Sequence, residues 1–144
     1  MTRNAPSPRS AYPVFLPVQT RWDDNDQYGH INNVTYLSYI DTVITLWQIE
    51  QGMDLGGDAG MRFLVVESGC TYHAEARFPD TLHAGIRVGK LGNSSARFEV
   101  GLFRNDDETA CVEGFFVHVA VDAETRPMRI PEPERSKIEA ILAS

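Results

Sequence analysis

Positive charge is scarce in this sequence: 13 Lys and Arg stand against 20 Asp and Glu in 144 residues, a net charge of −7. Nucleic-acid recognition asks for a basic face, so that class of partner is set aside. An anionic ligand would have to rely on a few local cations. Cysteine is equally sparse. Cys70 and Cys111 lie in strand-like sequence without CxxC spacing, which points to buried thiols in a reducing compartment, a disulfide between them being the lesser alternative. No apolar run approaches the roughly 18 residues of a membrane helix, and the N-terminus lacks an apolar signal core. The chain is therefore expected to be cytoplasmic and off the membrane. The motif G-x-S-x-G is missing, which removes the elbow that presents a serine nucleophile.

What is present reads as one domain spanning residues 1–144, long enough to bury about two-thirds of its unfolded surface. Residues 1–12 are polar and rich in Pro and Ser and are expected to form a loose tail. Residues 13–22 give a short strand in which Pro17 implies an edge position. Residues 133–143 are expected to form a short terminal helix. Four glycines between Gly52 and Gly60 make a flexible connection, either a lid or a plain connector.

The stretch from Arg21 to Gly52 holds the single long helix. Val34, Leu37, Ile40, Val43, Ile44 and Trp47 recur at intervals of three and four, the period of one helical face. Tyr36, Tyr39, Leu46 and Ile49 add apolar groups elsewhere, so the helix should be covered on more than one side. Asn32 or Asn33 suits the N-cap and Gly52 the stop, which predicts a helix from about Asn33 to Gln51.

Just ahead of that cap lies Asp23-Asp24-Asn25-Asp26-Gln27-Tyr28-Gly29-His30. The first turn of a helix offers unpaired backbone N–H groups and a partial positive charge. Asp26 stands seven positions before Asn33, and Tyr28-Gly29-His30 lets the chain fold back so that its carboxylate faces those amides. A carboxylate on one side and amide donors on the other suit attack on an acyl carbon. Two plainer readings compete. Asp and Asn cap and turn wherever helices begin, and residues 24–29 open like a calcium loop. The calcium reading fails because Tyr28 and Thr35 occupy the fifth and twelfth positions, the latter requiring a bidentate Glu. No metal is expected.

From Met61 onward the sequence turns to strands over residues 62–76, 81–91, 94–104 and 109–122, with turns at Phe78-Pro79-Asp80, Gly92-Asn93 and Asn105-Asp106. Leu82, Ala84, Ile86 and Val88 share one face, as do Ala96, Phe98, Val100 and Leu102. On the last strand Cys111, Phe115, Val117, Val119 and Val121 are expected to face inward, leaving His118 outward or at an interface. His73 and His83 are read as surface or interface histidines. Short turns make the four strands antiparallel neighbours. The fold class is thus α+β, a five-stranded antiparallel sheet curled around one long central helix. The exposed sheet edge and remaining helix faces call for a homodimer or homotetramer.

Asp26-x-x-Gly29-His30-Ile31-Asn32-Asn33-x-x-Tyr36-x-x-Tyr39 resembles the opening motif of the hotdog-fold acyl-CoA thioesterases of the 4-hydroxybenzoyl-CoA thioesterase type. Leu91-Gly92-Asn93-Ser94-Ser95 and Phe116-Val117-His118-Val119-x-Val121-Asp122 are similar to later stretches of such chains, so the likeness covers residues 14–131. The resemblance implies that Asp26 is the catalytic carboxylate, that the backbone N–H of Asn33 polarises the thioester carbonyl, and that Gly29 is the glycine of the turn. It implies substrate contacts from Tyr28, His30 and Ser95, although Ser94 and Ser95 also read as turn chemistry. The implied substrate is an acyl-CoA, or an acyl carrier protein thioester, with no cofactor beyond the coenzyme A of the substrate. A hotdog dehydratase or hydratase and a non-catalytic acyl-binding protein are the alternatives. Phosphate contacts would come from Arg62, Arg87, Lys90, Arg97 and Arg104.

Overall fold

The computed structural model describes residues 4–58 and 60–144. Its strands are β1 (Val14–Val18), β2 (Arg62–Tyr72), β3 (Leu82–Leu91), β4 (Ser95–Arg104) and β5 (Val112–Val121), and its helices are α1 (Asn33–Glu50) and α2 (Glu134–Glu139). The five strands form one antiparallel sheet in the order β1-β3-β4-β5-β2. α1 contacts β1, β2, β3 and β5, and the core lies between helix and sheet.

The helix begins where its cap chemistry places it. The Asn32 side chain accepts from the Val34 N–H at 3.0 Å, and Gly52, at φ 77°, closes the other end. Lys137 of α2 donates to the Gln51 carbonyl, satisfying one of the acceptors that a helix C-terminus leaves open. Asn32→Ala should lower stability by about 1 kcal/mol, the usual cost of losing such a cap. Urea unfolding measures it, and an unchanged midpoint would show that the cap contributes nothing.

The buried stripe of α1 is Tyr36, Tyr39, Ile40, Val43, Ile44, Trp47 and Gln48. Val34, by contrast, is 66% exposed. The stripe is rotated from the predicted one because the Tyr39 hydroxyl reaches Asp24 in the preceding turn, the Tyr36 hydroxyl accepts from the Ala76 N–H after β2, and Gln48 reaches His118.

In β3 and β4 the expected inward residues are fully buried. Along its length β5 reverses its predicted face: Val112, Gly114, Phe116, His118 and Ala120 are buried, and Phe115, Val117 and Val119 sit half-covered on the outer face, while Cys111 just ahead of it and Val121 at its end are buried as expected. Both faces of β5 carry apolar groups, so alternation alone did not choose between them. Gly114 makes room for the Ile40 side chain, since an added Cβ would lie 2.5 Å from its Cδ1. Phe115 instead lies beneath the Arg97 guanidinium, 3.8 Å from the ring centre. β2 ends at Tyr72 rather than reaching residue 76. The amides of His73 and Ala74 both turn to the Cys111 carbonyl, and the chain leaves the sheet to support the turn before α1.

The N-terminal segment is not loose over its described residues. Ala110 N–H donates to the Ser7 carbonyl at 3.0 Å, and Arg9 N–H to that of Glu108 at 3.2 Å. Tyr12 is 6% exposed and packs edge-on against Phe103. Its ring fills a notch formed by Gly85 and Gly101, which pair across β3 and β4. A Cβ on either would sit 2.7 Å from the ring. Polar composition suggested disorder, but one aromatic and two opposed glycines anchor the segment. Residues 1–3 lie outside the described residues.

Candidate active site

The acidic turn is built from its buried member outward. Asp24, in a short 3-10 turn, is buried, and its Oδ2 accepts from the Tyr39 hydroxyl at 2.5 Å and from Arg21 N–H at 2.9 Å. The Arg21 guanidinium donates to Oδ1 at 3.2 Å. Burial pushes this carboxyl up, but the hydrogen bonds from Tyr39 and Arg21 outweigh it and hold it below the ordinary Asp value. Burial, then the Asp24 contact, pushes the Tyr39 phenol upward.

From this clamp the chain forms a small antiparallel loop. Asn25 bridges Ile31, Asp26 N–H donates to the His30 carbonyl at 2.9 Å, and Asn32 N–H returns to the Asp24 carbonyl at 3.0 Å. Gly29 closes the tip at φ 79°, a conformation that a residue with a Cβ adopts only with strain. The segment after β2 braces one side. Ile31 N–H donates to the Ala76 carbonyl, Ala76 N–H to the Tyr36 hydroxyl, and Phe78 N–H to the Asn25 side chain.

Asp26 therefore sits on a rigid mount. It is half-buried, and its Oδ1 accepts from Tyr28 N–H at 2.9 Å, while Oδ2 has no partner among the described residues. The neighbouring helix tip also retains a free group. Asn32 takes the Val34 amide, and the Asn33 N–H has no acceptor among the described residues. The Asn33 carbonyl accepts from the Tyr72 hydroxyl at 3.3 Å. An uncommitted carboxylate oxygen and an uncommitted helix N–H thus lie on consecutive pieces of one braced turn.

Asp26 and Gly29 line a cavity of about 440 Å³ with Trp22, Asp23, Arg77 and Phe78. Trp22, 72% exposed, meets Phe78 edge-on at 6.3 Å. His30 lines an adjoining cleft of about 390 Å³, its Nε2 held by Glu75 Oε2 at 3.0 Å. Tyr28 lines neither space and is 75% exposed. Ser95 stands apart. It starts β4 at the end of the sheet opposite Leu102, which is level with Val112 and Tyr72 beside the helix tip. At about 3.3 Å per residue the separation along β4 is about 23 Å. Within one chain Ser95 does not meet Asp26.

Two groups escaped the sequence reading. Asp24 was read with the turn-forming acids, and its distant partner Tyr39 gave no local sign of the clamp. Arg77 was not among the cations named for phosphate contacts, yet it is the side chain shared by both cavities. Arg87 and Arg97 instead grip Glu99 on the outer face of the sheet at 2.9 and 2.8 Å. Among the described residues no three His, Cys, Asp or Glu side chains gather where they could hold a metal.

The sequence profile of the Thioesterase-like superfamily matches residues 20–140. The chain belongs to that superfamily. The PA5185 protein of Pseudomonas aeruginosa is 42% identical, with a TM-score of 0.92 over 97% of this chain and 99% of its own. A thioesterase of Thermus thermophilus, solved with coenzyme A and Zn, is 30% identical, with a TM-score of 0.76 over 91% of this chain and 95% of its own. The 1,4-dihydroxy-2-naphthoyl-CoA thioesterase Slr0204 of Synechocystis, at 14% identity and a TM-score of 0.79, covers 86% of this chain and 93% of its own and shares the fold alone. No curated protein sequence matches. The architecture is accordingly the hotdog fold of thioesterase-like proteins. Among the described residues no helix is long and apolar enough to cross a membrane.

Proposed function

We propose that this member of the thioesterase-like superfamily hydrolyses the thioester of an acyl group carried on coenzyme A, or on the phosphopantetheine arm of a carrier protein, to a free acid and a thiol. The observation that carries the reading is that Asp26 Oδ2 and Asn33 N–H, neither of which has a partner among the described residues, belong to one braced turn. Asn33 N–H donates to the thioester oxygen as negative charge builds on it, aided by the positive end of α1. Asp26 takes a proton from a water whose oxygen adds to the carbonyl carbon. The C–S bond then breaks, and the thiolate leaves and is protonated. Direct attack by Asp26, giving an acyl anhydride that water then opens, uses the same groups. The coenzyme A held by the Thermus relative supports the substrate class.

The assembly we propose is a homodimer, or a tetramer built from it. β2 is a sheet edge with Val65 and Val66 50% and 62% exposed, and an edge of that kind seeks a partner strand. Antiparallel pairing of β2 with its copy lays the Asp26 end of one sheet beside the Ser95 end of the other. That arrangement gives Ser95 a route to the substrate across the interface.

A second reading, hydration of an enoyl thioester, is favoured by the His30–Glu75 pair beside Asp26. Thiol release and loss of enoyl absorbance, followed together on a panel of acyl- and enoyl-CoAs, separate the two. Release of thiol from at least one acyl-CoA is the expected result. Enoyl loss with the thiol still esterified would establish hydration, and binding without either change would leave a non-catalytic acyl-binding protein.

A further inference from the structure

We infer that Arg77 holds a phosphate of the thiol-bearing arm and thereby selects thioesters of phosphorylated carriers, an inference that rests on the thioester reading above. Arg77 lies in the wall common to the Asp26 cavity and the cleft beside it. A group leaving the Asp26 cavity past Arg77 enters a space bounded by His30, Glu75, Asp80, Arg104 and Asn105, every one polar or charged. Such a lining suits the polar, phosphorylated arm of the substrate and not an acyl chain.

The other charged side chains of this cleft already have partners, with one exception. Glu75 holds His30 at 3.0 Å. The two Asp80 oxygens accept from Arg77 N–H and from the Asn105 amide at 3.0 and 3.1 Å. Arg104 is divided between Asp107, at 2.9 Å, and the Glu75 carbonyl. The Arg77 guanidinium has neither a hydrogen bond nor an ion pair among the described residues. The guanidinium N–H groups of Arg77 are thus the uncommitted cationic donors of this cleft among the described residues, on a protein whose net charge is −7. A guanidinium fork matches two phosphate oxygens at once, which an exposed lysine does not.

The test uses binding, which does not depend on turnover. Titration calorimetry is run with coenzyme A, 4′-phosphopantetheine and pantetheine on the wild type, on Arg77→Ala and on Arg126→Ala, the last being an exposed cation paired with Asp122. Loss of a charge-assisted contact corresponds to about a tenfold to hundredfold change. We expect Arg77→Ala to weaken coenzyme A and 4′-phosphopantetheine by at least about tenfold while leaving pantetheine unchanged, and Arg126→Ala to change none of them. If coenzyme A alone is weakened, the contact is to the nucleotide end and not to the arm, and the assignment to the arm is overturned. Equal weakening of pantetheine, an equal effect of Arg126→Ala, or no effect of Arg77→Ala overturns the inference altogether. Absence of acyl-CoA hydrolysis alongside Arg77-dependent coenzyme A binding would remove the proposed reaction and leave the binding site standing.

Discussion

Asp26→Asn is expected to cut turnover on the best acyl-CoA by about 10²- to 10⁴-fold, the usual contribution of a positioned base or carboxylate nucleophile. The substitution is close to isosteric, and an Asn Oδ1 still accepts the Tyr28 N–H that holds Asp26 in its turn. What changes is the other oxygen, which has no partner among the described residues and becomes an NH₂ group able neither to take a proton nor to attack. Melting temperature and oligomeric state should stay at their wild-type values, because the clamp beneath runs through Asp24 and Tyr39 and does not involve Asp26. A variant that folds, binds coenzyme A and turns over at the wild-type rate would show that the chemistry lies elsewhere, with the His30–Glu75 pair next in line. Substitution at Asp24 would not test the same point: it breaks a buried hydrogen-bonded cluster, so lost activity there would report a collapsed turn.

The helix and its cap were legible because they depend on local chemistry: short side-chain acceptors before a run of period 3.6, then a glycine. The pairing of β3 with β4 and of β4 with β5 followed from short turns, and the buried faces of β3 and β4 followed from clean alternation, but β2 is not the neighbour of β3 that a consecutive order required: it lies on the far edge beside β5, and β1 takes the place next to β3. Where alternation was ambiguous the reading failed. β5 carries Phe115, Val117 and Val119 on one face and Phe116, His118 and Ala120 on the other. The polar His118 argued for the wrong phase, since the partner that makes its burial tolerable, Gln48, is distant in sequence on α1. The anchored N-terminal segment escaped notice for a related reason, because Gly85 and Gly101 become a notch only once β3 and β4 are in register.

The site divides in the same way. Asp26, Gly29 and Asn33 belong to one continuous segment, so a sequence pattern could hold all three. Arg77 reaches the Asp26 cavity from the far side of β2, through a chain excursion that exists because β2 releases its partner at Tyr72. No spacing rule connects it to Asp26. Ser95 raises the converse point: a motif residue can match a pattern and still lie at the other end of its own sheet.

Lowering the pH from 7 to 4.5 is expected to cost up to about 3 kcal/mol of stability through His118 alone. The ring is 6% exposed and is packed among Phe63, Phe98 and Phe116, with centroid distances of 5.7, 5.0 and 6.5 Å. Its Nδ1 accepts from the Gln48 amide at 3.3 Å, so the neutral ring carries its proton on Nε2, which has no partner among the described residues. No carboxylate among the described residues pairs with the ring to offset a charge, and burial pushes its pKa down to about 4. The unfolded chain takes up that proton near the ordinary value of about 6.5 and the folded chain refuses it until about 4. His118 therefore costs nothing above about pH 6.5, and stability falls by about 1.4 kcal/mol per unit as the pH drops through the interval between the two values. Asp24 and Glu113, whose carboxyls are held below their ordinary values, begin to lose their contributions only below about pH 5, so the His118 slope stands clear of theirs between about pH 6.5 and 5. Urea unfolding at pH 7.5, 6.0, 5.0 and 4.5 should show the slope in the wild type and its loss in His118→Leu paired with Gln48→Leu, which removes both polar groups together. An equal slope in the double variant would place the acid sensitivity in other groups and show that His118 accepts its proton in the folded state.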